Sequence, residues 1–229
     1  MDVFGEALRD QFRNPPSDIL WVHNSYDEPE EMPVDIYFRD EKDMPALELK
    51  ALELCRGKVL DVGAGVGSHA LILQKRGFDV TGMDISETAV QIMLQRGLKK
   101  AFQGDILKLE GPRYDTLLFM MNGIGLTGSL QGLRAFLKRA KNLLNPGGQL
   151  VFDSSDLLYL YETVAFPLNG YYGEISFRYE YKSVKGNWFK WVYVDQKTLK
   201  ELAGELGWDV QIVFEDGHDQ YLARLFPPR

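Results

Sequence analysis

VLDVGAGVGSHA, Val59 to Ala70, is an apolar run that ends in three glycines and passes into a helical pattern at about Ser68. The run has the make-up of a buried strand, and Gly63, Gly65 and Gly67 permit a sharp turn that a ligand can approach closely. A dinucleotide fingerprint needs G-x-G-x-x-G, but Ser68 stands where its third glycine would fall, so the spacing is G-x-G-x-G. That departure favours a ligand without a pyrophosphate. The Walker lysine pattern is missing too, which argues against a nucleoside triphosphate.

Outward from this loop, between Gly57 and about Ser155, short apolar runs alternate with amphipathic segments. The runs are KVLDVG, DVTGMDI, KAFQGDI, YDTLLFMM and QLVFDS. Such alternation predicts parallel strands joined by crossover helices, hence an α/β fold with a doubly wound, mostly parallel sheet. The clearest helix carries Leu130, Leu133, Phe136, Leu137, Ala140, Leu143 and Leu144 at the 3.6-residue period and is expected to stop at Pro146-Gly147-Gly148.

The flanks differ in texture. Residues 1–56 read as a helical cap with acidic loops, including NSYDEPEEMP and a helix from about Pro45 to Cys55. In GEISFRYEYK the period changes to two, and after a turn at Lys185-Gly186 the alternation resumes at Phe189, Trp191 and Tyr193, so an antiparallel hairpin is expected near 174–194. A helix through Leu199, Leu202, Ala203 and Leu206 and a C-terminal antiparallel hairpin over DVQIVFE and QYLARLF, turning at Asp216-Gly217, complete the chain. We therefore expect one domain over 1–229: the cap at 1–56, a ligand-binding core at 57–155, and C-terminal hairpins with a helix at 156–229.

With the glycine loop and the runs after it in place, the chain resembles the class I S-adenosylmethionine (SAM)-dependent methyltransferases. Their first motif, D/E-x-G-x-G-x-G, is matched by Asp61, Gly63, Gly65 and Gly67. The resemblance places Asp84 with Ile85, at the end of the second run, where the family's acid binds both ribose hydroxyls. It places Gly104, Asp105 and Ile106 where the third-strand acid meets the adenine amino group. Ala64 in the loop and Met121 and Asn122 after the fourth run complete the implied cofactor site, Asn122 being either a contact to the methionine part of SAM or a turn residue. LNPGGQLVF resembles the turn before the family's fifth strand. The implied activity is methyl transfer, with S-adenosylhomocysteine (SAH) as second product. The chemistry is sensible, because a sulfonium ligand suits carboxylates and a vicinal diol suits one carboxylate with two acceptor oxygens.

Ligands of such sheets sit outside the carboxyl ends of the strands. Asp153 and Asp156, after the fifth run, are candidates to orient an acceptor or take its proton, and equally to cap the next helix. Tyr37 and Arg39 in VDIYFRD either close over the ligand or form an exposed edge. The Asn122-Gly123 pair lacks the prolines of amino-directed nucleic-acid methyltransferases, which argues against base methylation. The Tyr and Trp residues of the 174–194 hairpin offer an apolar or cation-binding surface, or simply pack it down. His23, His69 and His218 are too scattered for a metal site, and His69 reads as a helix-surface residue. No catalytic residue is named.

Composition bounds the alternatives. The 229 residues carry 33 acidic and 26 basic side chains, a net charge of −7, which disfavours phosphate-backbone binding. Lys99 and Lys100, and Arg134, Lys138, Arg139 and Lys141, read as solvated helix faces. No apolar run reaches a membrane span, the N-terminus lacks a signal-peptide block, and the lone Cys55 suits a reducing cytoplasm. The leading expectation is a cytoplasmic methyltransferase with a small-molecule acceptor. Methylation of protein or RNA, a nicotinamide oxidoreductase and a non-catalytic SAM-binding protein are the rivals.

Overall fold

The computed structural model of the chain describes residues 2–162, 165–167 and 170–228. The chain opens with α1 (Val3–Arg13), β1 (Leu20–Asn24), β2 (Glu30–Met32) and α2 (Ala46–Leu54). The core follows as β3 (Lys58–Val62), α3 (Ser68–Lys75), β4 (Asp79–Asp84), α4 (Glu87–Gln95), β5 (Ala101–Gln103), β6 (Tyr114–Phe119), α5 (Leu130–Ala140) and β7 (Leu144–Ser155). Then come β8 (Glu174–Tyr181), β9 (Val184–Lys185), β10 (Phe189–Val192), α6 (Gln196–Glu205), β11 (Asp209–Glu215) and β12 (Gln220–Phe226).

The main sheet has seven strands in the order β11-β12-β7-β6-β3-β4-β5. Strands β7, β6, β3, β4 and β5 are parallel, and β12 and β11 add an antiparallel hairpin at the edge. The chain winds outward from β3 through β4 to β5, then restarts at β6 on the other side of β3. The crevice between the carboxyl ends of β3 and β6 is therefore the switch point of a doubly wound sheet, where ligands bind.

Residues one apart on a strand point to opposite faces. Leu60, Leu117 and Phe152 accordingly pack under α5 and α6, against Phe136, Leu137 and Leu199. Their neighbours Val59, Leu118 and Val151 pack on the other face, against Leu52 of α2 and Ala70 and Leu73 of α3. Each fully buried Leu or Phe contributes roughly 1.5–3 kcal/mol, so these two layers hold the crevice rigid.

A second, wholly antiparallel sheet runs β10-β8-β1-β2, with β9 also on β8. It corrects the reading of residues 1–56 as helical. Leu20 and Val22 are buried and pair with Tyr181 and Tyr179, and β2, with two glutamates in three residues, is a strand only because β1 offers it an edge. The 174–194 hairpin is present, but its tight turn lies at Lys182-Ser183, both with positive φ, rather than at Lys185-Gly186. Helix α5 also ends at Ala140. Leu143 falls in a 3-10 turn and Leu144 starts β7, so both keep their burial by a different geometry. Among the described residues no helix is long and apolar enough to cross a membrane.

Candidate active site

The loop after β3 needs its glycines for backbone reasons. Gly63, Gly65 and Gly67 have φ of +66°, +56° and +80°, a region that side chains other than glycine rarely enter. A Cβ on Gly63 would meet only Leu126 at 3.9 Å, and one on Gly65 only Tyr37 at 3.7 Å, so open space lies over both. A Cβ on Gly67 would press on Met93 of α4 at 2.9 Å.

Asp84, at the tip of β4, ties this loop to the next helix. Its Oδ2 accepts the Gly65 N–H at 2.9 Å and its Oδ1 the Ser86 N–H at 2.9 Å, while Ser86 caps α4 by accepting from Ala89 N–H. An ionised carboxylate has about four acceptor positions, so each oxygen keeps one for a ligand. Ile85, next in sequence, is 73% exposed and offers apolar surface beside the buried acid. Gly104 N–H donates to the Asp84 carbonyl at 2.9 Å and brings Asp105 alongside. Asp105 Oδ1 accepts from Leu107 N–H, its Oδ2 lies 3.3 Å from Lys108 Nζ, and Ile106 is buried beneath.

Across the crevice, Met121 and Asn122 take φ of +60° and +55°, a costly pair of conformations for residues that are not glycine. The turn is held from three sides. Asn122 N–H donates to Asp153 Oδ2 at 2.9 Å, Ser155 Oγ donates to Asn122 Oδ1 at 3.2 Å, and Trp191 Nε1 donates to the Asn122 carbonyl at 3.0 Å.

Beneath the crevice lies a buried polar layer. Asp61 is 1% exposed, accepts from Ala70 N–H and leaves Oδ2 without a hydrogen-bond partner; Asp153 is fully buried and leaves Oδ1 without one. Burial pushes the carboxyls of Asp61, Asp84 and Asp153 each up to about 6. Unpartnered buried oxygens are rare in folded proteins. With the open glycine loop and the acceptor capacity of Asp84, they fit a ligand that brings positive charge and vicinal hydroxyls.

His69 corrects its reading as a surface residue. It is 6% exposed, and its Nε2 lies 2.7 Å from Glu48 Oε2, whose other oxygen accepts from Arg39 at 2.6 Å. Burial works against the imidazolium, but the Glu48 hydrogen bond and the fields of Asp61, Glu48 and Asp153 outweigh it and hold the His69 pKa above its ordinary value. The overlooked signal was Glu48 itself, an acid set among Leu47, Ala51 and Leu52 on the buried side of α2. Of the candidate acceptor residues, Tyr37 lies over Gly65 and its carbonyl accepts from Ser68 Oγ at 2.6 Å. Arg39 is committed to Glu48, Asp153 lies under the Asn122 turn, and Asp156 accepts from Leu158 N–H and the Tyr172 hydroxyl.

A profile described as a methyltransferase domain matches residues 38–212. A SAM-dependent methyltransferase from Bacteroides fragilis, solved in complex with S-adenosyl-L-homocysteine, superimposes with a TM-score of 0.92 and 40% identity, covering 100% of this chain and 95% of that one. Demethylmenaquinone methyltransferase of Tropheryma whipplei is 34% identical over 102 residues, 41% of this chain and 40% of that protein. A 23S rRNA (uracil(747)-C(5))-methyltransferase of Pyrococcus horikoshii is 41% identical over 59 residues, 25% of this chain and 14% of that protein. The match thus spans about two-fifths or less of the length of these curated relatives.

Proposed function

The chain belongs to the class I SAM-dependent methyltransferases, and from that premise we propose that it methylates a small-molecule acceptor held between the glycine loop and the antiparallel sheet. SAM supplies an electrophilic methyl group on a sulfonium. In this reading Asp84 accepts from both ribose hydroxyls, Ile85 packs on the adenine face, and Gly104, Asp105 and Ile106 line its amino edge. Gly63, Ala64, Gly65 and Gly67 let the nucleoside lie against the backbone. Met121 and Asn122, with Asp61 below, hold the methionine end. Asp153 acts from beneath, by fixing the Asn122 turn. Residues 57–155 bind the cofactor, and the flanking segments, which meet through β1, β2, β8, β9 and β10 in one sheet, cover the acceptor.

Several features favour a small acceptor over RNA. The net charge is −7, and four of the six basic residues that come nearest to clustering are engaged within the fold: Arg134 with Glu205, Lys100 with Asp79, Arg139 with the Leu109 carbonyl and Lys141 with that of Leu206. Aromatic residues rather than cations roof the crevice. In-line attack on a sulfonium methyl depends mainly on positioning and exclusion of water, which suits a covered site.

The observation that carries the assignment is the Asp84 carboxylate, buried at the strand tip and bonded to the glycine loop. Calorimetric titration with SAM, SAH and NAD tests it. SAM and SAH are expected to bind and NAD is not, and Asp84→Ala should weaken SAH binding by at least about 100-fold, the worth of two hydrogen bonds to a charged group at about 1.5–3 kcal/mol each. Unchanged SAH affinity in that variant would overturn the ribose assignment. A methyl-release assay across metabolite fractions separates an enzyme from a non-catalytic SAM-binding protein.

A further inference from the structure

The side of the antiparallel sheet that faces the crevice carries an arch of rings. Tyr37, over Gly65, meets Phe4 edge-on at 5.0 Å, and Phe4 stacks on Tyr179 at 5.2 Å. Tyr179 tilts against Phe189 at 5.2 Å, Phe189 meets Trp191 edge-on at 6.1 Å, and Trp191 reaches the Asn122 carbonyl. The arch therefore joins the two lips of the crevice, from the glycine loop to the turn after β6. All five rings are half-buried, whereas Leu20, Ile175 and Tyr181 on the same sheet face are buried, so ring surface is left for a ligand to cover.

Carboxylates act on the phenols of the arch, opposed at Tyr37 by Arg39. Arg178, Lys185 and Lys190 alternate onto the opposite sheet face, where Arg178 lies over Trp188 at 4.7 Å, Lys185 pairs with Glu180 and Lys190 is exposed. Beside the glycine loop, Arg39 is bound to Glu48, and Arg96 to the Val66 carbonyl and Ser68. The carboxylate of Asp84 acts on Tyr37 and Tyr179, and that of Asp153 on Tyr193. Besides the sulfonium, an anionic acceptor would find only Arg39 and Arg96, both already hydrogen-bonded within the fold.

Of the candidate proton acceptors, Asp156 already accepts from Leu158 N–H and the Tyr172 hydroxyl. Burial holds the phenols of Tyr37, Tyr179 and Tyr193 well above their ordinary pKa, His69 is buried against Glu48, and Asp153 is fully buried. A hydroxyl acceptor has to lose its proton to become a good nucleophile; a neutral amine does not.

Resting on the methyltransferase reading above, we propose that the acceptor is an uncharged amine, methylated on nitrogen beneath the aromatic arch. The nitrogen lone pair forms the new N–C bond as the C–S bond breaks and its electron pair returns to sulfur. The positive charge passes from sulfonium to ammonium, so total charge is conserved and no base is needed. An amine that is protonated in solution gives up that proton to solvent before it binds, and the product ammonium, secondary from a primary amine and tertiary from a secondary one, keeps its own until it reaches solvent. Ring faces and a negative field stabilise the cation at both ends of the transfer.

The test is binding to the SAH-loaded protein, read by calorimetry with benzyltrimethylammonium, a stand-in for a methylated product cation, against phenylacetate. The cation is expected to bind at least about tenfold more tightly, and Phe189→Leu and Tyr179→Leu each to weaken it by about three- to tenfold with SAH affinity and unfolding temperature kept. Equal or tighter binding of phenylacetate, no binding of the cation, or cation binding unmoved in both folded variants overturns the proposal. If SAH itself fails to bind, the cofactor reading falls; if SAH binds and the cation does not, only the amine assignment falls.

Discussion

Asp61, Asp84 and Asp153 are acids that burial has made reluctant to ionise, each with its pKa raised from 3.8 to about 6. In the ligand-free protein the stability they contribute is full below about pH 3.8, where folded and unfolded chains are both protonated, and is lost as pH rises through about 6. A cationic ligand favours the ionised acids, so its binding should expel protons. SAM affinity is therefore expected to climb between pH 5 and 7 and then level off, with proton release near pH 6 seen as a dependence of the calorimetric heat on buffer ionisation enthalpy. A flat affinity profile would mean that these carboxylates do not face the ligand. Glu48 differs. Burial alone would raise its pKa, but the His69 hydrogen bond and the charges of His69 and Arg39 lower it overall. Glu48→Gln leaves the buried His69 and the partly buried Arg39 without their carboxylate and should cost about 3 kcal/mol in a denaturant titration. A loss under 1 kcal/mol would show that the triad contributes little.

The turn after β6 stores strain at Met121 and Asn122 and is clamped by Asp153 and Trp191. Gly125 makes the second clamp possible, because a Cβ there would fall 1.9 Å from Trp191 Nε1. Gly125→Ala should therefore push Trp191 off the turn and lower stability by about 1–3 kcal/mol, several degrees in Tm. Thermal unfolding followed by Trp fluorescence reads both effects, and an unchanged Tm would contradict them. The core strands β3, β4, β6 and β7 were legible because each is buried on both faces and so appears as an apolar run between amphipathic helices. β1 and β2 were not. Five residues with one exposed Trp and three residues with two glutamates carry no periodic signal; β2 forms only on β1, and the other partner of β1, β8, lies more than 140 residues away. Leu143 and Leu144 were drawn into the helical pattern because apolar spacing alone does not separate a helix end from the strand that follows.

Two sheets of different kinds meet at the crevice, the parallel one presenting loops and acids, the antiparallel one presenting rings. The loop and strand-tip acids were legible as a spaced motif, whereas the Arg39–Glu48–His69 chain and the aromatic arch depend on contacts between segments far apart in sequence. Ligand binding across such a junction should stabilise the whole chain. SAH at 100 times its Kd is expected to add about 2.7 kcal/mol, seen as a rise of several degrees in Tm, and NAD at the same concentration none. The most direct test of the account is a crystal structure of the protein with SAH bound. The account predicts the ribose hydroxyls within hydrogen-bonding distance of both Asp84 oxygens, with the nucleoside over Gly63 and Gly65 and the amino-acid end toward Asn122. A nucleoside bound elsewhere, or with its ribose turned away from Asp84, would contradict it.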